Sequence, residues 1–294
     1  MRKTLGAAVP VLLLVTHSLA ASDSNSILLP ANISQPPKGG IYMDPTFPSG
    51  SSIKRLTDAL NTPNADTGGN LSWIEDEYST AAAFSNDNSH LILVHVSYFG
   101  LYDGSGTFVG NLPLEINSSS EPRWSRTDND TLYYHSGNQL KSYNVVTKTM
   151  KVVHTFSEYA SISGNGEMDI SRDGDHLVFA GDGQYVFLYT ISTDTKSKVF
   201  DTLGNPFDSL YVTPDNHVTI TWDAEGVNTR FTGVEMFDGN MNFLRQLAHV
   251  SGHMHMTRDL NGDEVLVWFN GGDHHPTCGQ NALVKIHLAD GVHT

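Results

Sequence analysis

Four pairs of polar residues in this chain carry the chemistry a reactive site needs: Glu121/Arg123, Glu167/Asp169, Ser209/Tyr211 and His253/His255. Residues two apart on a strand share a face, so each pair points one way. An imidazole or a phenol can act as base or acid, a guanidinium can neutralise developing charge, and carboxylates can bind and orient. On that basis His253, His255, Tyr211 and Arg123 are catalytic candidates, with Glu121, Glu167 and Asp169 as substrate-binding groups. His253, His255, Glu167 and Asp169 also form a possible ligand set for a divalent metal. Mn or Zn suits such a mixed His/carboxylate set, and Ca suits it less because imidazole is a poor calcium ligand. A second account stays open. In a wet channel the same groups can simply satisfy one another, Glu121 with Arg123 and Asp169 with a backbone turn. The chain has 14 histidines, so one close pair can arise by chance.

The elements that must position these pairs come from a repeat. Each pair precedes a Ser or Thr, and that register residue recurs as Ser85, Ser125, Ser171, Thr213 and Thr257, at intervals of 40, 46, 42 and 44 residues. The fullest copy reads Met168-Asp-Ile-Ser-Arg-Asp-Gly-Asp-His-Leu-Val-Phe179. Every copy places a short alternating strand before the register residue and an apolar strand after it, at 91–94, 132–134, 177–179, 218–220 and 265–268. Two more strands follow, at 139–144 and 150–156 in the second copy and at 186–191 and 196–200 in the third. A four-stranded unit every forty-odd residues predicts an all-β fold, a β-propeller of which five blades are recognisable and seven would complete a ring. The inner strand's other face carries Ala82/Phe84, Pro122/Trp124, Met168/Ile170, Leu210/Val212 and Met254/Met256. That face must pack on the neighbouring blade, and the polar face must converge on the mouth of the central channel.

Met1-Arg2-Lys3, an apolar stretch over 5–14 and small residues before position 21 predict a signal peptide at 1–20, hence a secreted or periplasmic protein. No other apolar run is long enough to span a membrane. Residues 21–70 read as a leader that supplies strands, near 40–57, to a closing blade. Residues 71–294 read as the propeller. The fifth copy shows a third strand at 283–288, a turn at Asp290-Gly291 and only the start of a fourth, so the propeller is expected to be incomplete at its carboxyl end. A net charge of −15 makes the chain a poor partner for nucleic acid or an anionic membrane surface. The single cysteine, Cys278, excludes an internal disulfide. The sequons at Asn32, Asn70, Asn117 and Asn129 matter only in a glycosylating host. No nucleophile elbow, phosphate-binding loop, dinucleotide fingerprint or His-Glu-x-x-His is present. Asp259-x-Asn261-Gly262-Asp263 lacks the remaining spacing of a calcium loop and reads as a hairpin turn. His274-His275 has the lower claim to ligation, because adjacent side chains on a strand point opposite ways.

The Ser-Arg-Asp-Gly-x-x-Leu-Val-Phe phrase at 171–179, and the aromatic before the serine at Phe84-Ser85 and Trp124-Ser125, resemble the repeat of TolB-like propellers over about residues 71–294. Within that class the His253-x-His255 motif is similar to the His-rich metal site of secreted oligogalacturonate lyases. That resemblance implies a carbohydrate substrate and a metal-assisted β-elimination. A base would remove the proton next to a uronate carboxylate, a cation would stabilise the charge, and an acid would help the leaving oxygen. His253, His255 or Tyr211 would move protons, and Arg123 or a metal would neutralise the carboxylate. The alternative is a non-catalytic envelope module whose channel mouth grips a peptide or a glycan.

Overall fold

The computed structural model describes residues 36–43, 52–64, 67–95, 98–114, 120–270 and 282–294. The expected signal peptide, and Asp273, His274, His275 and Cys278, lie outside them. The repeat exists because the register hydroxyls of blades I to IV tie their own hairpins together. Ser171 donates to Asp173 and accepts the backbone N–H of His176 at 2.9 Å. Ser85 does the same with Asp87 at 2.9 Å and with the His90 N–H at 3.1 Å, and Thr213 accepts from the His217 N–H at 3.1 Å. The aspartate of the turn is held as an anion. Hydrogen bonds led by the Ser89 hydroxyl pull Asp87 down to about 2.

A two-stranded hairpin, β1 (Ile41–Tyr42) with β2 (Ile53–Lys54), precedes five blade sheets. Blade I contains β3 (His90–His95), β4 (Tyr98–Asp103) and β5 (Phe108–Asn111). Blade II contains β6 (Arg123–Trp124), β7 (Thr131–Ser136), β8 (Gln139–Asn144) and β9 (Thr149–Thr155). Blade III contains β10 (Ile162–Ser163), β11 (His176–Gly181), β12 (Tyr185–Thr190), β13 (Thr195–Lys196) and β14 (Phe200–Asp201). Blade IV contains β15 (Phe207–Val212), β16 (Val218–Trp222), β17 (Val234–Phe237) and β18 (Phe243–Ala248). Blade V contains β19 (Met254–Arg258), β20 (Glu264–Asn270) and β21 (Ala282–His287). All pairings are antiparallel.

The chain is thus an all-β propeller, with local departures from an even four-strand plan in blades I, III and V. In blade I the inner strand is reduced to isolated bridges, Phe84 with Leu91 and Glu75 with Val94. In blade III the expected outer strand breaks into β13 and β14, both paired to β12. At the carboxyl end Val292–Thr294 folds back on β21, with the His287 N–H donating to Val292 O at 2.9 Å.

The core lies between blades, as a repeat that cannot bury its own faces requires. Met168, Ile170, Leu177 and Phe179 of blade III pack with Leu140 and Phe156 of blade II. Leu210, Val212 and Trp222 pack with Val178 and Leu188, and Met254, Met256 and Trp268 pack with Val234 and Met236. Only blade I departs, where Ala82 is exposed. Among the described residues no helix is long and apolar enough to cross a membrane.

Candidate functional site

The inner strand of blade III does not run straight through Glu167 and Asp169. It pairs at Ile162 and Ser163, leaves the sheet, and returns at Ile170 opposite Leu177. Residues 164–169 bulge inward, with Asn165 at φ 62° and Gly166 at φ 96°. A Cβ at Gly164 would lie 2.2 Å from the Met168 backbone nitrogen, so the bulge needs glycine there. Its exposed donors are met from blade II. Glu121 accepts the N–H groups of Gly164 at 2.8 Å, Gly166 at 2.8 Å and Met168 at 2.7 Å, and His135 Nε2 lies 3.3 Å from its Oε1. Burial alone would push Glu121 up, but the His135 imidazole, the backbone donors and Arg123 outweigh it and hold the carboxyl below its ordinary value. Glu121 therefore fastens a backbone bulge, and it does not line the channel cavities.

That bulge presents Glu167 to the channel mouth. Tyr211 donates a short hydrogen bond to Glu167 Oε2, and Thr80 Oγ1 donates to the same oxygen at 2.5 Å. Burial, and then the Glu167 bond, push the Tyr211 phenol far up, so it remains a proton donor. Arg123 is ion-paired with Glu77 and also donates to Pro122 O at 2.9 Å. Burial raises Glu77 to about 7, with Glu121 and Glu167 adding to the rise against the opposing Arg123 guanidinium. His253 sits at the rim, stacked on Tyr78 at 5.3 Å between ring centroids and 2.9 Å from Ser79 Oγ. Glu77, Tyr78, Ser79 and Thr80 are partners the repeat does not reveal. They precede the first recognisable copy, and only the return of this segment to the channel brings them to blades II, III and V.

Thr80, Arg123, Glu167, Asp169, Tyr211 and His255 surround a narrow passage of about 30 Å³. That volume holds about one water. Past Asp169 and His255 it meets a cleft of about 300 Å³, also lined by Asn86, Arg126, Arg172 and Pro214. The cleft is at the small end of the range for bound organic ligands, so a ligand of sugar size fits there and not in the passage. Asp169 sits at the junction, where its oxygens accept the N–H groups of Ile170 at 2.8 Å and Val212 at 2.9 Å. Burial raises its pKa, against the Val212 bond and the charges of Arg123, Arg126 and His255. The structure thus brings Arg123, Glu167, Asp169, Tyr211 and His255 around one channel, with His253 at its rim and Glu121 behind its wall.

The four expected metal ligands do not gather. Glu167 is taken by Tyr211 and Thr80, His253 by Ser79 and Tyr78, and Asp169 by two backbone donors. Among the described residues, one set of three His or acidic side chains brings its ligand atoms within 4.8 Å of one another: Asp259, Asp263 and His287. It combines the turn at 259–263 with a histidine on β21. Lys285 Nζ already lies 3.0 Å from Asp259 Oδ2 and holds that carboxyl below its ordinary value. The set has the donor chemistry of a divalent-metal site, but a metal would have to displace that ammonium.

No protein-family model matches this chain, and no curated protein matches it. Among solved structures, the chain is similar to an oligogalacturonate lyase in complex with manganese, at a TM-score of 0.51 and 14% identity over 79% of this chain and 70% of that one. It is also similar to an oligogalacturonate lyase from Vibrio parahaemolyticus, at a TM-score of 0.57 and 13% identity over 88% of this chain and 73% of that one. At such identity the likeness shows a shared propeller fold.

Proposed function

We propose that this propeller acts on an oligosaccharide held at its central channel, as a lyase that eliminates next to a sugar carboxylate. The observation that carries the reading is that Tyr211, His255 and Asp169 line one passage, which meets a cleft large enough for a sugar. In this reading His255, which faces both cavities, removes the proton next to the carboxylate. Tyr211 keeps its proton in the bond to Glu167 and holds a water in the passage, which protonates the leaving oxygen. The hydroxide left behind is neutralised by the proton that His255 releases. Arg123 is bound to Glu77, so it adds positive potential without a direct contact. The expected metal set does not fit the channel mouth, and no step is assigned to a metal. Secretion through the signal peptide at 1–20 belongs to the same proposal, and amino-terminal sequencing of the exported protein tests it.

Absorbance of the new conjugated double bond, followed on incubation with oligogalacturonides, tests the activity. His255→Ala should abolish it and Tyr211→Phe should slow it, with melting temperature nearly unchanged for the first. Turnover that survives His255→Ala removes the assignment.

A non-catalytic binding module is the second reading, and one observation favours it. The carboxylates at the mouth and behind its wall already have partners inside the protein: Glu77 with Arg123, Glu167 with Tyr211 and Thr80, Glu121 with backbone. Saturable glycan binding by calorimetry, with no product formed, would select it.

A further inference from the structure

The residue immediately after each register Ser or Thr is Asn86, Arg126, Arg172, Pro214 or Arg258. The first four line the 300 Å³ cleft. Their common position explains this. The register hydroxyl is tied down within its own hairpin, so the next side chain projects from the hairpin tip. Adjacent tips nest closely. Asn86 Nδ2 donates to the Arg126 carbonyl, and a Cβ at Gly174 would come 2.9 Å from Arg126 Cβ. Gly174 also sits at φ 77°, where side chains are strained. Arg126 of blade II therefore lies against the tip that carries Arg172.

Of the three arginines at this position, Arg258 is ion-paired with Asp215 and donates to Gly262 O at 2.8 Å. Among the described residues, Arg126 and Arg172 have no ion pair. The chain has 32 acidic residues for 17 basic ones, so two guanidiniums in one cleft with no ion pair to a described carboxylate run against its composition. The other ionisable groups on the cleft are His255 and Asp169. Asp169 is felt by Arg126 through its charge, but its hydrogen bonds go to the backbone N–H groups of Ile170 and Val212 and it forms no ion pair with either guanidinium.

We propose that this cleft is an oxyanion-binding subsite in which Arg126 and Arg172 hold the carboxylate, phosphate or sulfate group of a small ligand. A guanidinium offers a planar fork of donors matched to such a group, and two forks together select for charge over size. The inference deepens the lyase reading by supplying the contact its sugar carboxylate needs, but it rests on the cleft and not on turnover.

Calorimetry on the full chain with D-galacturonate, D-galactose and inorganic phosphate as probes tests it, since the two sugars differ in charge at one carbon. Galacturonate or phosphate should bind at least tenfold more tightly than galactose, and added salt should weaken that binding. Arg126→Gln/Arg172→Gln should lose the tenfold preference. Arg172 is exposed, so Arg172→Gln alone serves as the folded control and should lose part of it. A preference for galacturonate over phosphate identifies a sugar carboxylate as the ligand group, and the reverse identifies a phosphoryl group. Equal binding of galactose and both anions, or an unchanged preference in the double variant, overturns the proposal. Anion binding without turnover would remove the lyase reading and leave this one standing.

Discussion

The two ends of the channel are built from the same inner hairpins, yet they hold their charges in opposite ways. At the mouth, Arg123 meets Glu77, Glu167 meets Tyr211 and Thr80, and His253 meets Ser79. At the hairpin tips, Arg126 and Arg172 face a cleft with no ion partner among the described residues. A buried polar group that is fully partnered costs little while intact and much when one partner is removed. An exposed cation without a partner costs little either way and remains available to a ligand. The mouth should therefore govern stability, and the tips should govern binding.

Glu121→Ala is the strongest way to break that contrast. It strands the N–H groups of Gly164, Gly166 and Met168 beneath the bulge, and a buried network broken on one side loses about 3–5 kcal/mol. Urea denaturation should show that loss, and Glu121→Gln should recover part of it because one acceptor oxygen remains. A loss under 1 kcal/mol, on the order of one ordinary hydrogen bond, would mean that the bulge holds itself. Met168→Ala, fully buried between blades II and III, should cost about 2–4 kcal/mol through the cavity it leaves. The same denaturation series checks it.

Glu77 gives a smaller effect with a defined sign. Its pKa rises from 4.5 to about 7 in the fold, so the native state binds this proton more tightly than the unfolded chain. Its contribution is fully present below pH 4.5 and is lost as pH rises through about 7. Glu77→Gln should flatten the stability profile across that window, measured as urea midpoint against pH. Glu121 works in the opposite sense. Its lowered pKa contributes stability above the ordinary carboxylate range that is lost only as pH falls through the folded value. Tyr211→Phe removes one donor from Glu167 and should cost about 1 kcal/mol. Arg172→Gln lies at the bottom of the scale. Its stability should change by less than about 0.5 kcal/mol, and a larger drop would place Arg172 in the structural network and erase the contrast.

Much of the fold was legible in the chain because its cause is local. The register Ser/Thr and the turn aspartate recur because they bond to their own hairpin, within a few residues, and such bonds leave a spacing in the sequence. The apolar inner faces were legible for the same reason: Met168/Ile170, Leu210/Val212 and Met254/Met256 follow the alternation of a strand. Arg123, Tyr211 and His255 followed from that alternation too, whereas Glu167 reaches the channel on a bulge. Arg126 and Arg172 were equally accessible, since they stand one residue past the register position in successive copies. That position was the signal to read.

What the sequence determined by itself is the repeat, the strand faces and the residues that the faces turn inward. Which of those residues remain free is a matter of tertiary structure. Glu77, Tyr78, Ser79 and Thr80 carry no repeat signal, and their pairing with Arg123, His253 and Glu167 spans as many as 175 positions. The bulge at 164–169 likewise depends on a carboxylate from the preceding blade, 43 to 47 residues back. Bonds over such separations have no fixed spacing along the chain. They are decided only when the blades are laid side by side and each buried charge finds the nearest partner that can replace water.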